Sequence, residues 1–143
     1  MDDRFTARPL ASWFWIAAIA SLLFMAFGCW AYLMHVTVNP ATLPLDQREA
    51  YAAEPAWVTG ANAVAVWVGV LGTLMLLMRR KLAETLLLVS FFAVVVWLGG
   101  LLLVPQLRDA LSTNDVAVAI VVTLLTGTIW SFARHSRQRG WLR

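Results

Sequence analysis

The chain has 143 residues, of which 61% are hydrophobic and only 13% charged, where a soluble domain carries roughly 45–50% apolar and about 25% charged residues. That balance excludes an ordinary soluble globular domain and indicates an integral membrane protein. The net charge of +3 does not point to nucleic acid, because the cations lie beside apolar runs rather than along one solvated face; anionic lipid headgroups are their natural counterpart.

A hydrocarbon core of about 30 Å takes about 20 residues per helix, so four spans use roughly 80 residues and leave only short loops. The expectation is a single transmembrane domain over 1–143. Arg4 and Arg8 precede Pro9, after which Trp13 to Met34 is almost continuously apolar. A secretory h-region is shorter, at about 7–15 residues, so a retained first span over about 12–35 is predicted, with Trp13 and Trp15 at headgroup level. Cys29, the only cysteine, allows neither an intrachain disulfide nor a thiolate metal cluster; it is expected to be a small packing residue.

The polar interval His35 to Glu54 contains Pro40, Pro44 and the run Asp46-Gln47-Arg48-Glu49. Pro44 at a helix start and Pro55 after its end permit a short amphipathic helix on the outer surface, an extended loop being the alternative. The second span, about 55–78, starts at Pro55, whose missing N–H costs nothing at a first helical position. Arg79-Arg80-Lys81 makes a tight turn, and the third span, about 82–104, ends where Pro105 disfavours continuation. A second outer loop offers Ser112, Thr113 or Asn114 as caps to a fourth span over about 114–133. Beyond it come Arg134, Arg137, Arg139 and Arg143, with Trp141 expected to anchor the tail at the inner surface.

Only Lys and Arg enter the positive-inside rule. Nine of them lie at the amino end, the 79–81 turn and the carboxyl tail, and two, Arg48 and Arg108, lie in the outer loops. The fold class expected is therefore all-α: four transmembrane helices in an up-down antiparallel bundle, with both termini cytoplasmic. Arg79, Arg80, Lys81, Arg134, Arg137 and Arg139 are the candidate lipid contacts at the inner surface.

Lipid tails are as apolar as leucine, so helices in a membrane associate through small residues and polar side chains. Small-residue stripes occur in each span: Ser21, Gly28 and His35 in the first; Ala61, Ala65, Gly69 and Thr73 in the second; Ser90, Ala93, Trp97 and Gly100 in the third; Ala119, Thr123, Gly127 and Ser131 in the fourth. Ordinary bundle packing accounts for them. Asn62 needs a partner, because an unsatisfied polar group in hydrocarbon costs several kcal/mol, and an interhelical bond to Ser90, Thr123 or a backbone carbonyl is expected. Trp67 projects away from its helix's small-residue stripe, either filling space in the bundle or meeting a partner chain. Glu84 follows Lys81 by three residues and Arg80 by four, and a salt-bridged first turn is expected there.

Function classes narrow by what is missing from the spans. Apart from His35, Glu84 and Asp115 at span ends, no Asp, Glu, Lys, Arg or His lies within them, which argues against a proton relay. His35 and His135 fall at opposite depths, which disfavours a haem pair. There is no HExxH and no phosphate-binding loop, nor a carboxylate or Ser/His/Asp cluster in the outer loops. No enzyme and no cofactor are expected. The leading reading is a non-catalytic accessory or self-associating membrane component, as a homo-oligomer or in a larger membrane complex. The alternative is a small oligomeric transporter or channel for a neutral or polar solute. Asn62, Trp67, Ser90, Trp97 and Thr123 are the candidate contact or pathway residues, and the two readings separate on whether the polar groups share one lumen-facing surface.

The openings Trp13-Phe14-Trp15-Ile16 and Glu54-Pro55-Ala56-Trp57, with the ending Phe132-Ala133-Arg134-His135 and Arg139-Gly140-Trp141-Leu142, resemble a group of short four-helix membrane proteins of Gram-negative bacteria. These are mostly uncharacterised, and some carry the label sugar transporter. The resemblance implies a bacterial inner membrane. For a sugar site, which combines aromatic platforms with several polar groups, only Trp67, Trp97 and Asn62 stand out.

Overall fold

In a computed structural model the chain is described over residues 10–143. Arg4 and Arg8, two of the nine cations assigned to the inner side, lie outside the described residues. Those described form helices α1 (Ser12–Thr37), α2 (Leu45–Ala53), α3 (Ala56–Leu77), α4 (Leu82–Leu103), α5 (Pro105–Ala110) and α6 (Thr113–Gln138), with a 3₁₀ turn at Pro40–Thr42. Strands are absent among the described residues. Four of the helices, α1, α3, α4 and α6, are long and apolar enough to cross a membrane.

Packing follows a row: α1 lies on α3, α3 on α4, and α4 on α6. The start of α1 also meets the end of α6 through rings, with Trp13 and Phe14 at 5.4 and 5.6 Å from Phe132. One end of the molecule therefore gathers the α3–α4 turn, the end of α6 and its basic residues. This is the basic end; the opposite, loop end carries α2 and α5, which touch each other.

The basic end holds the larger core, including Phe14, Met25, Leu76, Leu87, Ala133, Trp141 and Leu142. A smaller cluster at the loop end gathers Val58, Leu101, Leu107 and Ala119, with Trp97 packed against it. Between them the helices approach closely. A Cβ added to Gly69 would lie 2.6 Å from Met25 Sδ and 2.9 Å from Ser90 Oγ; one added to Gly72 would lie 2.8 Å from Leu87 Cγ. The small-residue stripe of α3 thus faces its neighbours, with Ala65, Gly69 and Thr73 all buried.

Helix ends differ from expectation in two places. The fourth span runs on to Gln138, five residues past the expected Ala133. Its stop is set by Gly140, at φ 72°, with Trp141 N–H donating to Ser136 O and Gly140 N–H to Arg137 O, the paired bonds of a Schellman motif. Secondly, Pro105 ends α4 but also opens α5, since its fixed φ suits a first helical turn. The short helix after Pro44 is present as α2. Ser112 is the cap of α6, its Oγ accepting from Asp115 N–H and the Asp115 carboxylate accepting from Ser112 N–H.

Candidate functional site

At the loop end four side chains converge, from α1, α2, α3 and the α2–α3 junction. His35, in the last turn of α1, donates from Nε2 to Glu54 Oε2 at 2.8 Å. Thr59 Oγ1, in the first turns of α3, donates to the other carboxylate oxygen at 2.9 Å. Tyr51 of α2 lays its ring 5.2 Å from the imidazole. Glu54 is only 11% exposed. Burial opposes its ionisation, but the hydrogen bonds from His35 and Thr59 outweigh it and hold the carboxyl below its ordinary value. Both carboxylate oxygens are thus occupied, and the cluster binds the end of α1 to the start of α3. The seven-residue spacing of Ser21, Gly28 and His35 places these residues toward α3: a Cβ on Gly28 would touch Val66 at 3.3 Å. Glu54 did not stand out beside Pro55; the available signal was an acid and a histidine at two adjoining span ends.

The middle of the membrane is differently arranged from expectation. Ser90 is fully buried, but its hydroxyl donates to Ala65 O of α3 at 2.6 Å. The Asn62 amide has no hydrogen-bond partner among the described residues and is partly exposed, so the expected interhelical bond is not formed. Ser90 meets α3 about one turn further along, where Ala65 lets the backbones approach. Trp67 is 47% exposed and does not fill the interior. Thr73 donates back to its own helix, to Val70 O at 2.9 Å. Thr123 likewise donates to Ala119 O at 2.8 Å; it lines a separate surface groove beside Phe91 and Trp130. The five candidate residues are therefore not brought together: Ser90 is in the α3–α4 seam, Trp97 at the loop-end cluster, Trp67 on the outer surface of α3 and Thr123 on α6.

At the basic end, several cations are engaged within the protein. Glu84 pairs with Arg137 of α6 at 2.6 Å rather than with Arg80 or Lys81, because the α4–α6 packing brings that guanidinium across the seam. Arg79 Nε donates to Trp141 O at 2.8 Å. Lys81 N–H donates to Arg143 O at 2.9 Å, and Arg143 N–H to Arg79 O, so the last residues dock on the α3–α4 turn. Trp141 is 6% exposed, its ring packed against Trp13, Phe14 and His135. It is a core residue of this end rather than an anchor in the headgroups. Arg80, Lys81, Arg134 and Arg139 are exposed, and Arg134 lies over the Trp130 ring, 5.6 Å from its centre.

No family model matches this chain, and neither a curated protein nor a solved structure matches it. What the arrangement can do is therefore read from its own chemistry. The loop-end cluster is a hydrogen-bonded tie between α1 and α3, the seam is closed by small residues, and the basic end combines an internally bonded hairpin with exposed cations.

Proposed function

We propose that the protein is a non-catalytic component of a bacterial inner membrane, working as a self-associated bundle or as an accessory to another membrane protein. Its four spans run up and down, with the basic end cytoplasmic. The nine-to-two distribution of Lys and Arg supports that orientation.

The observation that carries the functional reading is the fate of the polar side chains within the spans. Thr73, Ser90 and Thr123 direct their hydroxyls to backbone carbonyls; Thr73 and Ser90 are fully buried at the packed face of α3, and Thr123 lies apart in the surface groove of α6, so the three do not surround one lumen. Trp67 supports association: it is 47% exposed on α3, at mid-span and away from the headgroup level where exposed tryptophans gather. Association in a membrane rests on packing of such surfaces and on polar contacts, and the Asn62 amide is available for one.

Native mass spectrometry of the full chain released from nanodiscs tests this. Multimers, or a co-purifying membrane protein, are expected. A chain that emerges only as a monomer, with nothing bound, would sink the proposal.

A further inference from the structure

We propose that the groove between α4 and α6 is a binding site for one anionic phospholipid, with an acyl chain along α6 and the phosphate at Arg134. The proposal rests on the membrane-component reading above, with the basic end at a membrane surface.

The groove has a volume of about 380 Å³ and lies on the molecular surface between Phe91 of α4 and the Thr123–Ser131 stretch of α6. Two features shape its wall. Gly127 contributes no side chain, and a Cβ there would come within 3.0 Å of the Phe91 ring. Phe91 in turn stacks parallel on Trp130, with ring centres 6.0 Å apart, which holds both rings as a wall.

The lining suits a hydrocarbon chain better than a sugar or another polar solute. Thr123, Thr128 and Ser131 carry hydroxyls, but each donates to a carbonyl of its own helix: Ala119 O at 2.8 Å, Leu124 O at 2.9 Å and Gly127 O at 2.9 Å. Their protons are therefore not offered to a ligand, and the Trp130 Nε1–H, which has no partner among the described residues, is itself buried; the surface presented is mainly methyl groups and aromatic carbon. Such a wall offers an acyl chain close packing by dispersion contacts, which are non-directional, as a flexible chain requires.

Its length and polarity match one leaflet. Arg134 follows Thr123 by 11 residues, which at a helical rise of 1.5 Å is about 16 Å; half of a hydrocarbon core is about 15 Å. The charged end lies at the correct place on that scale. Arg134 sits over Trp130, itself a wall of the groove, where an arginine and a tryptophan mark headgroup depth. Arg137, one turn away, is engaged with Glu84 at 2.6 Å. The cation presented to the groove is thus Arg134, exposed beside Trp130; Arg80 and Lys81, in the turn before α4, are not among the groove's lining residues. That complementarity selects an anionic phosphodiester headgroup over a zwitterionic one.

The test uses the full chain in nanodiscs of equal phosphatidylglycerol and phosphatidylcholine with the same acyl chains, analysed by native mass spectrometry as the membrane is stripped. One retained phosphatidylglycerol is expected, favoured about fivefold, the ratio equivalent to about 1 kcal/mol per basic residue near an anionic surface. Arg134→Gln should abolish the preference while a lipid is still retained. Thr128→Trp, at an exposed position, should abolish retention by filling the groove; Ser131→Leu serves the same purpose if the first variant loses helicity by circular dichroism. The Arg80→Gln/Lys81→Gln double variant should keep both retention and preference. Equal retention of the two lipids, or retention unchanged by both groove-filling variants, overturns the site. So does an equal loss of preference in the double variant, which would mean diffuse attraction to the basic end. A second copy of the chain displacing lipid from the groove also overturns it, while leaving the membrane-component reading intact. Failure of the chain to float with vesicles would instead overturn that underlying reading.

Discussion

Arg79 occupies a backbone conformation that normally belongs to glycine, at φ 59°, where an L side chain costs roughly 1–2 kcal/mol. Its N–H donates to Leu76 O and that of Arg80 to Met75 O, so it stands where a Schellman motif favours glycine. The side chain explains the choice: its Nε reaches Trp141 O and holds the last residues on the turn. Arg79→Gly exchanges that bond for a relaxed backbone, a net change near zero if the bond contributes about 1 kcal/mol. Arg79→Ala loses the bond and keeps the strain, and should be about 1 kcal/mol less stable than Arg79→Gly. Unfolding in graded SDS micelles measures the difference, and equal midpoints would refute the account. Glu54 provides a pH-dependent counterpart. Because its folded pKa is lowered from 4.5, its contribution is fully present above that value and is lost as pH falls through the folded pKa. Unfolding midpoints should fall as the pH drops below 4.5. Glu54→Gln should start lower and lose part of that fall; an unchanged profile would remove Glu54 from the balance.

Among the helices, the α3–α4 hairpin gives the sharpest comparison, because two adjacent glycines meet different surroundings. A Cβ on Gly99 meets nothing within 4 Å, whereas on Gly100 it would lie 2.5 Å from Val58 Cγ2 and 2.9 Å from the Trp57 ring. Gly99→Ala should be neutral or slightly stabilising, and Gly100→Ala should cost about 1–3 kcal/mol as overpacking; the same SDS titration distinguishes them. A seam at this level was legible in the sequence, since Ala65, Gly69, Thr73, Ser90 and Gly100 recur at helical spacing on two spans. The four spans were legible for a still simpler reason, as long apolar runs ended by proline or cations. The end of α6 was not, because apolar patterning stops at Arg134 while the helix continues to the glycine stop at Gly140. Periodicity also says nothing of which residue meets which across a seam. Glu84 therefore matched Arg80 and Lys81 by spacing yet pairs with Arg137, and His35 with Glu54 could be placed at two span ends without being joined. Asn62 shows the same limit: the cost of an unsatisfied amide was readable, but its surroundings were not.

For the molecule as a whole, charge and packing point to the same two-ended construction. The basic end is closed by protein contacts, with Trp141 and Leu142 buried and the last residues bonded to the α3–α4 turn. The loop end is held by the His35–Glu54 pair and by α2 against α5. A closed basic end leaves only part of its cations both exposed and free of an acidic partner, namely Arg80, Lys81, Arg134, Arg139 and Arg143 among the described residues. Orientation can be read directly, because Cys29 is the only cysteine and is 8% exposed, which makes Cys29→Ala a mild background. In that background a single cysteine is placed at Thr42 of the loop end or at Gln138 of the basic end, both exposed and neither altering the Lys and Arg distribution. With the outer membrane permeabilised and the inner membrane intact, a membrane-impermeant maleimide should label Thr42→Cys and spare Gln138→Cys until the cells are lysed. The reverse pattern would invert the orientation, and labelling of both in intact cells would contradict placement of the two ends on opposite sides.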